Sequence, residues 1–240
     1  VSTLKNKVTY LDSSVPRIIG TQPQGVKLYT AFEQGATVWY MRGYKAEGVD
    51  PKTGEGIYKD INGDNIIDDN DLTDVGSGIP TMTFGLTLNM AYKNFDFTVF
   101  GTGVAGNKIF PSAFRIDRPS CNAYSYYFEN RWTPEHTNAK VPALSTWDQT
   151  FLSSTLNVFD GSYFKIKQIQ LGYTVPKSLL KKVSVESLRV FTSLDNFFTF
   201  SSYPGLDPET AQTTASSALG VDMGSYPTSK SFIFGINLSF

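Results

Sequence analysis

Ser229-Lys230-Ser231-Phe232-Ile233-Phe234-Gly235-Ile236-Asn237-Leu238-Ser239-Phe240 is the stretch whose reading decides the fold. Counting back from Phe240, the residues Leu238, Ile236, Phe234 and Phe232 fall on every second position. Between them stand Ser239, Asn237, Gly235 and Ile233, of which only Ile233 is large and apolar. A period of two is the strand period, because successive side chains of a pleated backbone point to opposite faces. About ten residues of apolar-out, polar-in alternation is also the length and pattern of a transmembrane β-strand. The same pattern fits a half-buried strand closing a soluble sandwich. The other strands must separate the two.

Working outward, Thr81–Tyr92 repeats the pattern without exception. Met82, Phe84, Leu86, Leu88, Met90 and Tyr92 alternate with Thr81, Thr83, Gly85, Thr87, Asn89 and Ala91. Lys93-Asn94 turns the chain, and Phe95, Phe97 and Val99 alternate with Asp96 and Thr98, which predicts a β-hairpin. In Gly161–Val175, Ile169, Leu171, Tyr173 and Val175 oppose Gln168, Gln170, Gly172 and Thr174. Lys165 and Lys167 stand on the side that later turns apolar, so the first half of this strand is expected to project beyond a bilayer. In Ser187–Phe200, Leu188, Val190 and Leu194 oppose Arg189, Ser193 and Asp195. A further strand with an aromatic end is predicted over Ala36–Gly48, and residues 1–12 read as a strand or short helix. Residues 49–80, 102–160 and 201–228 read as long connections. Long and short connections thus take turns, which outer-membrane barrels show and a sandwich has no reason to keep. The predicted fold is all-β, an antiparallel transmembrane β-barrel wall. Short turns are expected on the periplasmic side and long loops outside.

Composition agrees. The 240 residues carry 21 Lys and Arg against 22 Asp and Glu, a net charge of −1, and that near balance gives no argument for nucleic acid. The single cysteine, Cys121, excludes an internal disulfide and a cysteine-based zinc site. No apolar run approaches the ~18 residues of a membrane helix, yet a barrel needs only alternate residues to meet lipid. Val1-Ser2-Thr3-Leu4-Lys5 does not read as a signal peptide, and no Met opens the chain. The expectation is a C-terminal piece of something longer.

Several phrases then resemble the C-terminal barrel portion of SusC/RagA-type TonB-dependent outer-membrane transporters. They are Tyr58-Lys59-Asp60-Ile61-Asn62-Gly63-Asp64, Phe95-Asp96, Gly103-Val104-Ala105-Gly106-Asn107-Lys108-Ile109 and Arg131-Trp132-Thr133-Pro134-Glu135. Gly161-Ser162-Tyr163, Leu171-Gly172-Tyr173-Thr174-Val175-Pro176, Asn196-Phe197-Phe198-Thr199-Phe200 and Tyr203-Pro204-Gly205-Leu206-Asp207-Pro208-Glu209 continue in the family's order. His136 stands where the family often has Asn. The resemblance implies a plugged barrel of about 22 strands. Residues 1–240 would supply six or seven of them, without plug, TonB box or signal peptide. It further implies a non-enzymatic role in the outer membrane of a Gram-negative bacterium: TonB-dependent import of oligosaccharide or peptide. Implied partners are a SusD-like surface lipoprotein, the TonB complex and outer-membrane lipid. The alternative reading is a secreted calcium-dependent β-sandwich that binds glycans, which would need its apolar strand faces covered.

Among candidate sites, Asp60, Asn62, Asp64, the Ile66 carbonyl, Asp68 and Asp71 occupy the spacing of a calcium loop, so Ca2+ is the expected cofactor. Asn65 replaces the usual turn glycine, and Asp71 is shorter than the usual closing Glu; dockerin-like loops share that Asp and the early Gly63. His136 is the only histidine and no Gly-x-Ser-x-Gly elbow occurs, so no catalytic centre is predicted. Lys181-Lys182 reads as a solvated basic turn or an anionic-lipid contact. The loop aromatics Tyr124, Tyr126, Tyr127, Phe128, Trp132 and Trp147 read as packing or sugar-stacking groups, packing first.

Overall fold

The computed structural model describes all residues except 24, 113–121, 182–184 and 212–215, so Cys121 and Lys182 lie outside the described residues. Fifteen strands occur in chain order among those described. They are β1 Ser2–Thr3, β2 Ile18–Ile19, β3 Tyr29–Phe32, β4 Tyr40–Gly43, β5 Ala46–Val49, β6 Gly56–Tyr58 and β7 Thr73–Ser77. Then follow β8 Met82–Tyr92, β9 Phe95–Ala105, β10 Lys108–Pro111, β11 Phe159–Asp160, β12 Tyr163–Thr174, β13 Ser187–Ser201, β14 Val221–Asp222 and β15 Ser231–Ser239.

The principal sheet has six strands in the order β1-β8-β9-β12-β13-β15, every pair antiparallel. Its long members are the strands whose alternation is regular in the sequence. Tyr92 pairs with Phe95 across the two-residue turn, where Lys93 takes a positive φ of 55°. β12 and β13 are joined by residues 175–186, which include the single helical turn Lys177–Leu180. The other connections, 106–162 and 202–230, are long and leave from the opposite end of the sheet. This is the wall of a partial barrel, and its sixth strand is the two-residue β1.

Ala36–Gly48, expected as one strand of the wall, is not part of it. It contributes β4 and the start of β5, which lie in two other sheets. The cause is burial on both faces: Tyr40, Met41, Gly43 and Tyr44 are all buried, so no side of β4 is free to meet lipid. Gly43 passes so close to the Ser153 carbonyl that a Cβ would stand 2.4 Å from it. The expected loops also hold structure of their own. β2-β3-β4-β7 form a four-stranded sheet, and β11-β10-β14 a three-stranded one. Between them lies an apolar core of Val26, Leu28, Met41, Val75, Phe110, Tyr127, Val141, Phe151, Leu152 and Val221. The loop aromatics feed this core. Tyr127 is buried and stands edge-on to Tyr126 and Phe159, while Tyr124, Tyr126 and Trp147 pack around it. Packing, the first of the two readings, is what the fold uses for Tyr124, Tyr126, Tyr127 and Trp147, whereas Phe128 is 46% exposed and Trp132 lies outside this core.

The second departure is at Lys165 and Lys167. Against β9 the β12 register slips by one between Ile166 and Gln168, which makes Lys167 a β-bulge, while on the β13 side Asn196 and Phe197 stand opposite it. One extra residue reverses the facing of everything before it. Lys165 therefore lies in the row Gly85–Thr102–Lys165–Thr199, on the polar face, and not with Ile169 and Leu171.

Candidate functional site

The register of the principal sheet sorts its side chains into two unlike faces. One row runs Met90–Phe97–Leu171–Thr192–Phe234, and the next on the same side runs Leu88–Val99–Ile169–Leu194–Phe232. Leu86, Leu88, Met90, Phe232, Phe234, Ile236 and Leu238 are all exposed, Leu86 at 62% and Phe234 at 64%. Fully burying one such side chain is worth about 1.5–3 kcal/mol, so this face left in water forgoes on the order of ten kcal/mol. A contiguous apolar surface of this extent needs a cover. Aromatic rings bound it at both ends. Toward the long loops, Phe84, Phe164 and Phe200 stack in series with centroids 5.9 and 6.4 Å apart. Toward the short turns, Tyr92 lies beside Phe95, whose ring is 4.7 Å from Tyr173. Phe84 and Tyr92 are eight residues apart on β8, roughly 26 Å at the strand rise and about 20 Å once the strand tilts. That comes within one or two residues of the roughly 25 Å lipid-facing band between aromatic girdles.

The reverse face is polar. Its row Asn89–Thr98–Gln170–Ser193 carries amides and hydroxyls, with Thr98 Oγ1 donating to Asn89 Oδ1 at 2.9 Å. Below it, Arg189 donates through Nε to Asp96 Oδ2 at 2.9 Å, and through Nη2 to Gln170 Oε1 at 3.2 Å. The pair spans β12 over Gly172, where a Cβ would come within 2.4 Å of both Arg189 Nη2 and Asp96 Oδ2. Glycine here is the space the ion pair occupies. Arg189 also lies over the Phe191 ring, 5.1 Å from its centroid, and that ring in turn covers Gly235. Ser193 donates to Asp195 at 2.6 Å. Phe84, Leu86, Leu88, Phe95, Phe97, Phe234, Ile236 and Leu238 thus share one face, and Thr87, Asn89, Asp96, Arg189, Asp195 and Asn237 the other, as their alternation predicts.

At the loop end of the polar face stands a group that sequence reasoning missed. Lys165 Nζ donates to Asp207 Oδ2 at 2.7 Å and to Glu209 Oε2 at 2.9 Å. Lys167 reaches Glu209 Oε2 at 2.6 Å. Burial pushes the Asp207 carboxyl up, but Lys165 and the Thr228 hydroxyl outweigh it and hold it below the usual carboxylate range. Glu209 is also lowered: Lys167 and Lys165 outweigh its burial. The available signal was the pair of lysines interrupting an apolar face, which marks either a bilayer exit or a bulge.

In the Asp60–Asp71 loop, Asp60 accepts N–H bonds from Gly63 at 2.6 Å and Asn65 at 2.8 Å, and Asp64 accepts from Ile66 at 2.8 Å. Asn62 both accepts from the Asp64 N–H and donates to its carboxylate. Asn65 takes the left-handed φ of 64° that its place in the spacing requires. Asp71 is buried, and its two oxygens accept from Ile61 at 2.7 Å and Asp68 at 2.9 Å. Those N–H groups, Asp68 first, hold its carboxyl below the ordinary range. Asp68 caps the 3-10 turn Asp69–Asp71. The donor set is all oxygen and suits a hard cation, and an oxygen that accepts one N–H keeps a second lone pair. Among the described residues, no three His, Cys, Asp or Glu side chains are already drawn together as metal ligands. His136 is exposed, its ring nitrogen 3.1 Å from the Arg131 carbonyl, and Lys181 is exposed at the end of its turn.

No protein-family profile matches the chain. Among curated proteins, it is 27% identical to TonB-dependent receptor P3 of Formosa agariphila, over 96% of this chain and 24% of that protein. It is 28% identical to TonB-dependent receptor SusC of Bacteroides thetaiotaomicron, over 78% of this chain and 18% of that protein. The chain therefore spans about a quarter or less of the length of these relatives. Among solved structures, the RagAB peptide transporter superposes with a TM-score of 0.74 at 21% identity, covering 98% of this chain and 25% of the other. The open-open state of the RagAB peptide importer superposes with a TM-score of 0.73 at 22% identity, again over 98% of this chain and 25% of the other. The resemblance to SusC/RagA-type TonB-dependent receptors thus extends from sequence phrases to the fold.

Proposed function

We propose that this chain is part of the wall of an outer-membrane, TonB-dependent importer of oligosaccharide or peptide nutrients, worked together with a SusD-like surface lipoprotein. The observation that carries the reading is the two-faced sheet, with one face apolar and ringed by aromatics, the other polar, and edges open to further strands. Sheet edges with unpaired N–H and C=O groups are intolerable in lipid, so the wall is completed by more strands of the same protein. Thr87, Asn89, Gln170 and Arg189 then face the lumen, and the lobe built from the long loops faces outside, where a lipoprotein and cargo arrive. A secreted sandwich would cover Leu86 and Phe234 with a second sheet, and both are exposed. SusC and the RagAB peptide importer, as relative and neighbour, support import as the class of function.

The test is made with the full-length protein in its own host. It should sediment with outer membranes, and uptake of either a defined oligosaccharide or a peptide mixture should vanish on deleting it or TonB. Recovery in the soluble fraction, or uptake unaffected by loss of TonB, would overturn the reading.

We further infer that the Asp60–Asp71 loop holds calcium, through Asp60, Asn62, Asp64, the Ile66 carbonyl, Asp68 and Asp71. Five carboxylates (Asp60, Asp64, Asp68, Asp69 and Asp71) repel one another within this loop, and a divalent cation would turn repulsion into ligation. The support is the left-handed Asn65 and the turn network around Asp60 and Asp64. An outer-surface site of this kind fills at a dissociation constant of about 10⁻⁴–10⁻³ M. Terbium luminescence sensitised by the protein, competed by calcium and lost in Asp60→Asn/Asp64→Asn, is the expected result. Equal luminescence in that variant would refute the site.

A further inference from the structure

Lys165 sits on the wall with 1% of its surface exposed, and among the described residues its counter-groups come from the 202–230 connection. Asp207 and Glu209 reach it from the limb leaving β13, and Thr228 from the limb returning to β15. Asp207 joins all three parts. It accepts from Lys165, from the Thr228 main-chain N–H at 3.1 Å and from the Thr228 hydroxyl at 2.7 Å. Lys167, displaced outward by the bulge, takes Glu209 from the other side. Two cations meet two carboxylates, so the group is neutral as a whole.

The apolar anchorage near this group is small. Tyr203 packs with Ile109 and Ala211, while Leu206 between Tyr203 and Asp207 is 63% exposed. Further along, Tyr203 donates to Asp222 at 2.5 Å, and Val221 pairs with Phe110, which ties the middle of the connection to the loop lobe. Tyr203, Asp207 and Ala211 are buried, and the two limbs meet each other at the wall through the charge and hydrogen bonds of Lys165, Asp207 and Thr228. Because Lys165 is on the polar face, they lie on that side of the wall.

We propose that the two limbs 203–211 and 225–230 are latched together on the lumen side of the wall, with Lys165–Asp207 as their clasp, and that breaking this clasp frees both limbs together. The inference rests on reading the polar face as the lumen. The clasp would let the barrel mouth change width without disturbing β12 or β13, since its donors and acceptors on the limb side belong to one connection.

The experiment is hydrogen exchange with mass spectrometry on the full-length protein in detergent micelles. Asp207→Asn and Lys165→Met should each raise exchange at least tenfold in peptides covering 203–211 and 225–230. Residues 169–173 of β12 should stay protected. The double variant should exchange no faster than the faster single, because one clasp is broken either way. If those variants do not assemble, Thr228→Val removes one hydroxyl and should give a rise of about threefold in the same two peptides. Unchanged exchange in both limbs, a rise in one limb alone, or a rise that spreads into 169–173 would overturn the proposal. A failure of the importer reading would show instead in membrane fractionation, which leaves the exchange result standing.

Discussion

Leu86 and Thr87 are neighbours in the chain and stand in opposite environments, and the contrast carries the membrane reading down to single residues. An arginine on the lipid side of a barrel costs about 2–4 kcal/mol near the midplane, and far less on the lumen side. Leu86→Arg should therefore lower the stability of the full-length protein in urea titrations by that amount, and Thr87→Arg by less than half as much. Equal losses would mean that the two faces see the same surroundings. Asp71 makes a second contrast, this time in pH. Its carboxyl is held below the ordinary range, so the stabilisation it lends is present above about pH 4 and fades as pH falls through the lowered value. Pepsin cleavage within 60–72 should begin only in strong acid for the wild type, and already at pH 5 for Asp71→Asn. The same onset in both proteins would show that Asp71 does not hold the loop.

Among the elements, β12 shows how one residue can govern many. Without the bulge at Lys167, Lys165 would turn onto the apolar face and Ile166 onto the polar one. The bulge lets a strand carry two lysines at its loop end and still keep Ile169, Leu171 and Tyr173 on the apolar side. Deleting Lys167 should thus cut the yield of folded, heat-modifiable barrel on unheated gels severalfold, whereas Lys167→Ala should leave it near wild type. A normal yield for the deletion would mean that the register can slip without cost. The hairpin β8–β9 has no such device and needs none, because its alternation is regular from Met82 to Tyr92 and from Phe95 to Val99. β4 makes the opposite point. It has the aromatic content of a wall strand, but its two buried faces place it in the loop lobe.

At the scale of the whole molecule, six strands cannot close on themselves at the curvature of a wide barrel, and both edges of the sheet remain open. Among the described residues, no second sheet lies across the apolar face. Residues 1–240 expressed alone should therefore aggregate in detergent-free buffer and stay unclosed in micelles, while the full-length protein gives a protease-resistant barrel. A monodisperse, detergent-free monomer of this stretch would contradict the membrane reading. The loop lobe adds a second requirement. Its core is drawn from residues 26–221 and assembles only when distant loops meet, so contacts such as Phe110 with Val221 are long-range and slow to form.

The all-β class, the two-faced strands, the hairpin at Lys93-Asn94 and the resemblance to SusC/RagA-type receptors are all legible in the amino-acid order. Period-two alternation is local, and any strand that meets lipid on one side must display it. The spacing of oxygen-bearing residues over Asp60–Asp71 is local in the same way, and the calcium it suits is the proposal made above. What only the tertiary structure decided was the placing of Ala36–Gly48 outside the wall, the inward turn of Lys165 and the clasp with Asp207. Those depend on residues more than 40 positions apart, Lys165 with Asp207 and Asp96 with Arg189, whose meeting is set by strand register and one bulge. Alternation reports which way a side chain points along its own strand; it carries no information about which loop folds back to meet it.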